Sequence, residues 1–115
     1  MALVAAPVGS EDDARKFYGD LLGLSEVPKS EALRDRGGVW FACGDQQLHV
    51  GTTHDFSPAT KAHPALLVPD TDLDSIAARL SASGSPVRWD RAIPSARRFY
   101  TADPWGNRIE MPAST

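Results

Sequence analysis

Phe99-Tyr100-Thr101-Ala102-Asp103-Pro104-Trp105-Gly106-Asn107-Arg108-Ile109-Glu110 reads as strand, turn and strand. Pro104 fixes one backbone angle, and Gly106 or Asn107 can take positive φ, so residues 103–107 form a strong turn signal. Strands are predicted on either side, over 97–101 and 108–111. Side chains alternate between the faces of a strand. With Ile109 and Met111 facing the core, Glu110 points the other way.

Working back from this hairpin, Val87 to Trp89 reads as another strand. It follows a helix that begins at Pro69-Asp70-Thr71-Asp72, places Leu73, Ile76, Ala77 and Leu80 on one stripe, and ends at Gly84. Residues 63–68 are an apolar strand before that helix, so the second half runs β-α-β-β-β. The first half repeats the order. Residues 2–6 form a short apolar strand, and Ser10 with Glu11, Asp12 and Asp13 suits the start of a helix. Ala14, Phe17, Tyr18 and Leu21 make its apolar stripe, and Gly23 closes it. Strands follow at 24–27, 39–43 and 46–52, the last two joined by Gly44-Asp45 as a hairpin, with 29–38 an exposed charged loop. The expected organisation is α+β, with module one at 1–52, a linker at 53–62 and module two at 63–115. Each module alone would leave one sheet face bare, so two should pack together as curved mixed sheets around a cleft.

Composition supports one ordinary domain. The chain has 115 residues, 42% hydrophobic and 23% charged, with a net charge of -3. Its Lys and Arg are scattered, with no basic stripe to meet phosphates, so nucleic acid is not an expected partner. No apolar run approaches the roughly 20 residues a membrane span needs. A single cysteine, Cys43, fits a reducing compartment, and no signal peptide is read at the start, so a cytoplasmic location is expected.

Three stretches carry a resemblance. Ala14-Arg15-Lys16-Phe17-Tyr18 with Leu21-Leu22-Gly23-Leu24 is similar to the first helix of the vicinal oxygen chelate superfamily, which holds glyoxalases, bleomycin resistance proteins and extradiol dioxygenases. The hairpin quoted above resembles that superfamily's closing hairpin, and His63-Pro64-Ala65-Leu66-Leu67-Val68 resembles the strand that opens its second module. The fold implied is the paired-module one. The reaction is left open, because the superfamily spans isomerases, dioxygenases, epimerases, thiol transferases and non-catalytic drug binders.

The resemblance implies metal ligands on the first and last strand of each module. Carried over, these are His49, His63 and Glu110, with the fourth place falling at or near Met1, where no His, Gln or Glu precedes Pro7. Two imidazoles and a carboxylate suit Fe, Zn, Mn or Ni. Each also has a plainer role. His49 fits a half-exposed strand position, His63 a strand-end cap, and Glu110 a cross-strand partner for Arg97, Arg98 or Arg108. His54 is expected to be solvated and Cys43 to be a small buried residue.

Two functions follow. One is a metal-dependent isomerase, lyase or dioxygenase acting on a small oxygen-rich substrate, with a displaced Glu110, or a residue behind the ligands, as general base and Trp40, Tyr100 and Trp105 against the substrate. The other is a metal-free binder that stacks an aromatic or sugar-bearing antibiotic on its aromatic side chains. A homodimer is expected in either case.

Overall fold

The computed structural model describes residues 1–93 and 95–114. Strand β1 (Ala2–Pro7) is followed by helix α1, which begins as an α-helix over Glu11–Ala14 and continues as a π-helix over Arg15–Leu21. Strands β2 (Ser25–Val27), β3 (Val39–Cys43) and β4 (Gln46–Thr53) complete the first half. The second half runs β5 (Val68–Pro69), α2 (Asp70–Ala82), β6 (Arg88–Asp90), β7 (Arg98–Ala102) and β8 (Arg108–Ser114). Each half makes a four-stranded sheet, ordered β1-β4-β3-β2 and β5-β8-β7-β6, with one parallel pair and two antiparallel pairs. The α+β architecture therefore appears as a repeat.

Alternation decides which face each strand buries. Val4, Ala6, Val39, Phe41, Leu48 and Val50 point into the core from the first sheet, and Phe99, Thr101, Ile109 and Met111 from the second. Helix α2 contributes Leu73, Ile76, Ala77 and Leu80, as its stripe requires. In α1 the stripe shifts by one position. Ala14, Phe17 and Tyr18 are buried, but Leu22 takes the place expected of Leu21. The wider π turn, in which the Leu22 amide donates to the Phe17 carbonyl at 3.0 Å, rotates the later residues about the axis. Ser10 sits at the helix start, yet its hydroxyl donates back to the Pro7 carbonyl and caps no helix amide.

Two other expectations change. The loop at 29–38 contains a short 3₁₀ turn (Glu31–Leu33), and it ends in a buried glycine, Gly38, whose N–H donates to Glu11 Oε2 at 2.9 Å. The strand expected over 63–68 narrows to a bridge at Ala65, paired with Glu110, and the short β5. Leu66 N donates to the Glu110 carbonyl at 2.9 Å, and Glu110 N to the Pro64 carbonyl at 3.0 Å. The next donor in that parallel ladder would be residue 112, a proline with no N–H, so the pairing lapses before Val68 resumes it.

The turn at 103–107 joins the halves. Asp103 is 5% exposed and its carboxylate accepts four hydrogen bonds: from Tyr18 Oη at 2.7 Å, from Asn107 N and Asn107 Nδ2 at 2.8 Å each, and from Trp105 N at 3.1 Å. Asn107 also donates from Nδ2 to the Ala5 carbonyl on β1, and its Oδ1 accepts from Ala59 N. Burial, then the Asp103 charge, pushes the Tyr18 phenol well above its ordinary pKa.

Candidate functional site

The face of each sheet turned away from the helices carries the candidate site. Cross-strand register lays Val27, Trp40, His49 and Leu3 in one row across β2, β3, β4 and β1. The matching row of the second sheet is Arg88, Tyr100 and Glu110, continued by the bridge to Ala65. The repeat thus sets Trp40 against Tyr100 and His49 against Glu110. Counting back two residues from Leu3 and from Ala65 sets Met1 against His63.

On the second sheet, Glu110 lies between two partners. Its Oε1 is 3.7 Å from His63 Nδ1 and its Oε2 is 3.4 Å from Arg98 Nη1. Arg98 reaches Asp90 Oδ2 with Nη2 at 2.8 Å and with Nε at 3.1 Å. The backbone N–H of Ala92, then Arg98, holds the Asp90 carboxyl below its ordinary pKa, and Asp90 in turn raises that of Arg98. His63 meets the Tyr100 ring edge-on at 5.5 Å. Its Nδ1 is buried and has no hydrogen-bond partner, so the strand-end cap expected of it does not form through that atom.

On the first sheet, the His49 ring stacks on Trp40 at 3.8 Å with 4° between the planes. His49 Nε2 lies 2.9 Å from Gln47 Oε1. Burial, and after it the positive N-terminus, lowers the His49 pKa and favours the neutral imidazole. Of the residues expected at the site, the fold therefore brings His63, Glu110 and Tyr100 together and, separately, His49 and Trp40. Among the described residues, no group of three or more His, Cys, Asp or Glu side chains is placed to hold a metal ion. Trp105 stands apart, half-buried in the turn at 103–107 and packed on the core. His54 is exposed, and Cys43 is half-buried with its thiol pKa raised by that burial.

Asp90, Arg98, Arg88 and Arg108 were not among the expected site residues. The available signal was charge at alternate positions of the last strands, Arg88, Asp90, Arg98, Arg108 and Glu110, all on the face opposite the core.

The chain belongs to the glyoxalase/bleomycin resistance protein/dioxygenase superfamily, whose family model matches residues 1–111. A protein assigned to the glyoxalase family from Bacillus anthracis is 46% identical, with a TM-score of 0.89 over 99% of this chain and 92% of that one. Lactoylglutathione lyase from Agrobacterium tumefaciens is 23% identical, with a TM-score of 0.69 over 99% of this chain and 92% of its own. The fosfomycin resistance protein FosX from Mesorhizobium loti is 17% identical, with a TM-score of 0.70 over 100% of this chain and 91% of its own. At these identities the last two share the fold alone. No curated protein matches the chain. Among the described residues, no helix is long and apolar enough to cross a membrane.

Proposed function

We propose that the protein is a divalent-metal-dependent enzyme of the lyase, isomerase or dioxygenase kind, acting on a small substrate with two neighbouring oxygens. The observation that carries this reading is the pair His63 and Glu110. A buried imidazole nitrogen with no partner stands 3.7 Å from a carboxylate oxygen on the open face of β8. An unpaired buried polar atom costs about 1–3 kcal/mol, and a cation between the two groups would satisfy both.

The donor set fits a metal only in part within one chain, since His49 belongs to the other sheet. A homodimer in which a second copy supplies its His49 beside His63 and Glu110 completes the set of two imidazoles and a carboxylate. When bound, Fe, Zn, Mn or Ni would act as a Lewis acid toward substrate oxygens. The chain's own residues do the rest. A Glu110 carboxylate displaced from the metal, and kept in place by Arg98, would hold a proton taken from the substrate, while Tyr100 and Trp40 bound it with flat surfaces. Trp40 and the Gln47 side chain fix the plane of the His49 ring, which lowers the cost of ordering that ligand.

A second reading, a metal-free binder of an aromatic or sugar-bearing antibiotic, is favoured by Leu3. It sits beside His49 in the same row and is 66% exposed, an apolar surface on the open face suited to covering a ligand without a metal. Metal content per chain, measured by plasma emission on untagged protein with His63→Ala alongside, decides between the two. One metal per chain, lost in the variant, is expected. No metal in the wild type after incubation with Fe, Mn, Ni and Zn would overturn the enzyme reading and leave the binder. Light scattering reports the dimer.

A further inference from the structure

The Tyr100 ring is surrounded by guanidinium groups. Arg108 Cζ lies 4.2 Å from its centroid, Arg88 Cζ 5.6 Å and Arg98 Cζ 5.9 Å. These positions follow from register. Arg88 is the direct cross-strand partner of Tyr100, and Arg98 and Arg108 sit on the same face of β7 and β8. A cation over an exposed aromatic ring gains only about 0.5–1 kcal/mol. That accounts for Arg108, at close range, better than for three like charges gathered around one phenol.

The carboxylates of this face do not neutralise the group. Asp90 and Glu110 both serve Arg98. Among the described residues, Arg88, Arg91 and Arg108 form no ion pair with any Asp or Glu. Arg88 does add its field at Asp90 without touching it. Four guanidiniums thus face two carboxylates in a chain whose net charge is -3. Local positive charge held against an opposite overall charge marks a place where an anion is drawn in. Arg88, Arg91 and Arg108 line one cleft of about 350 Å³ together with Trp89, Asp90 and Tyr100. That volume is near the lower end for small-molecule sites.

We propose that this cleft is an oxyanion subsite, which takes a carboxylate or a phosphonate-type group on a small organic substrate. Arg88 and Arg108 supply forked N–H donors to the oxygens, and Tyr100 and Trp89 wall the site with aromatic surface. The proposal rests on the reading of the second sheet's open face as the substrate face. It adds that the substrate carries an anionic group beside its metal-binding oxygens.

The test is isothermal titration of the full-length, metal-free protein with inorganic phosphate and, separately, with acetate, against sodium chloride at matched ionic strength. One-site saturable binding of at least one probe is expected. It should weaken tenfold or more in Arg108→Gln and in Arg88→Gln and stay unchanged in Arg34→Gln, an exposed arginine outside the cleft. Arg88 is itself exposed, so its variant stays informative even if Arg108→Gln fails to fold. Tighter phosphate than acetate assigns a tetrahedral oxyanion, and the reverse a carboxylate. No saturable heat with either probe, or wild-type affinity in both cleft variants, would overturn the subsite. Because these titrations contain no metal, anion binding combined with a failure to load metal in the separate metal measurement defeats only the metal reading. Metal loading without anion binding defeats only the subsite.

Discussion

Replacing Tyr18 with Phe removes one hydroxyl from the joint between the two halves of the chain, and we predict a loss of about 1.5–3 kcal/mol of stability. The figure is the range for a hydrogen bond to a charged group. Here the 2.7 Å bond from Tyr18 Oη to Asp103 Oδ2 is buried, so water cannot replace it. Three donors remain to the carboxylate, Asn107 N, Asn107 Nδ2 and Trp105 N, which keeps the charge from being stranded and holds the loss within that range. An unfolding entropy of about 2.1 cal/mol/K per residue makes 1 kcal/mol worth about 4 °C in a chain of 115 residues. The expected drop in Tm at neutral pH is therefore about 6–12 °C by circular dichroism. Alkaline pH gives the same bond a second signature. The folded phenol keeps its proton where an unfolded tyrosine, with a pKa near 10, has lost it. The folded state then binds more protons, so wild-type stability falls as pH rises above about 10, and the gap to Tyr18→Phe narrows. A neutral-pH drop below about 2 °C, or a gap that does not narrow, would refute the role given to this bond.

Two further outcomes are expected. Gly38→Ala should lose at least about 2 kcal/mol in a urea titration, since φ is 107° there and an added Cβ would lie 2.2 Å from the Val50 carbonyl oxygen; wild-type stability would contradict the close approach. By NMR, His49 should titrate below the ordinary value of about 6.5 and move upward in Trp40→Ala, because the lowered value comes first from burial and the Trp40 ring stacked on His49 covers one of its faces. The sign is that the unfolded chain takes up the proton first, so His49 costs stability as pH falls below about 6.5; an unchanged midpoint in Trp40→Ala would remove Trp40 as the cause.

Much of this fold was legible because its signals are local. Alternation over 108–111 put Ile109 and Met111 inward and Glu110 outward, as observed, and the helix stripe from Leu73 to Leu80 needed only spacing. What escaped depends on distance or on single missing atoms. Nothing near Asp103 announces that Tyr18, 85 positions earlier, will donate to it. The lapse before β5 turns on the absent N–H of Pro112, on a different strand. The candidate site was half legible for the same reason. His63 and Glu110 converge through one bridge between neighbouring strands, while His49, in a sheet of its own, depends on how the halves are arranged. The arginines around Tyr100 looked scattered in sequence because cross-strand register, not spacing along the chain, collects them.

The joint at 103–107 bears on what a shared motif can transmit. The residues that make this chain recognisable, Tyr18 in the first helix and Asp103, Gly106 and Asn107 in the last turn, are fastened to one another and to β1 rather than turned toward the open sheet faces. Whatever inherits them inherits a way of seating two halves. The rows of side chains on the exposed faces remain free to drift from one chemistry to another without loosening the seat.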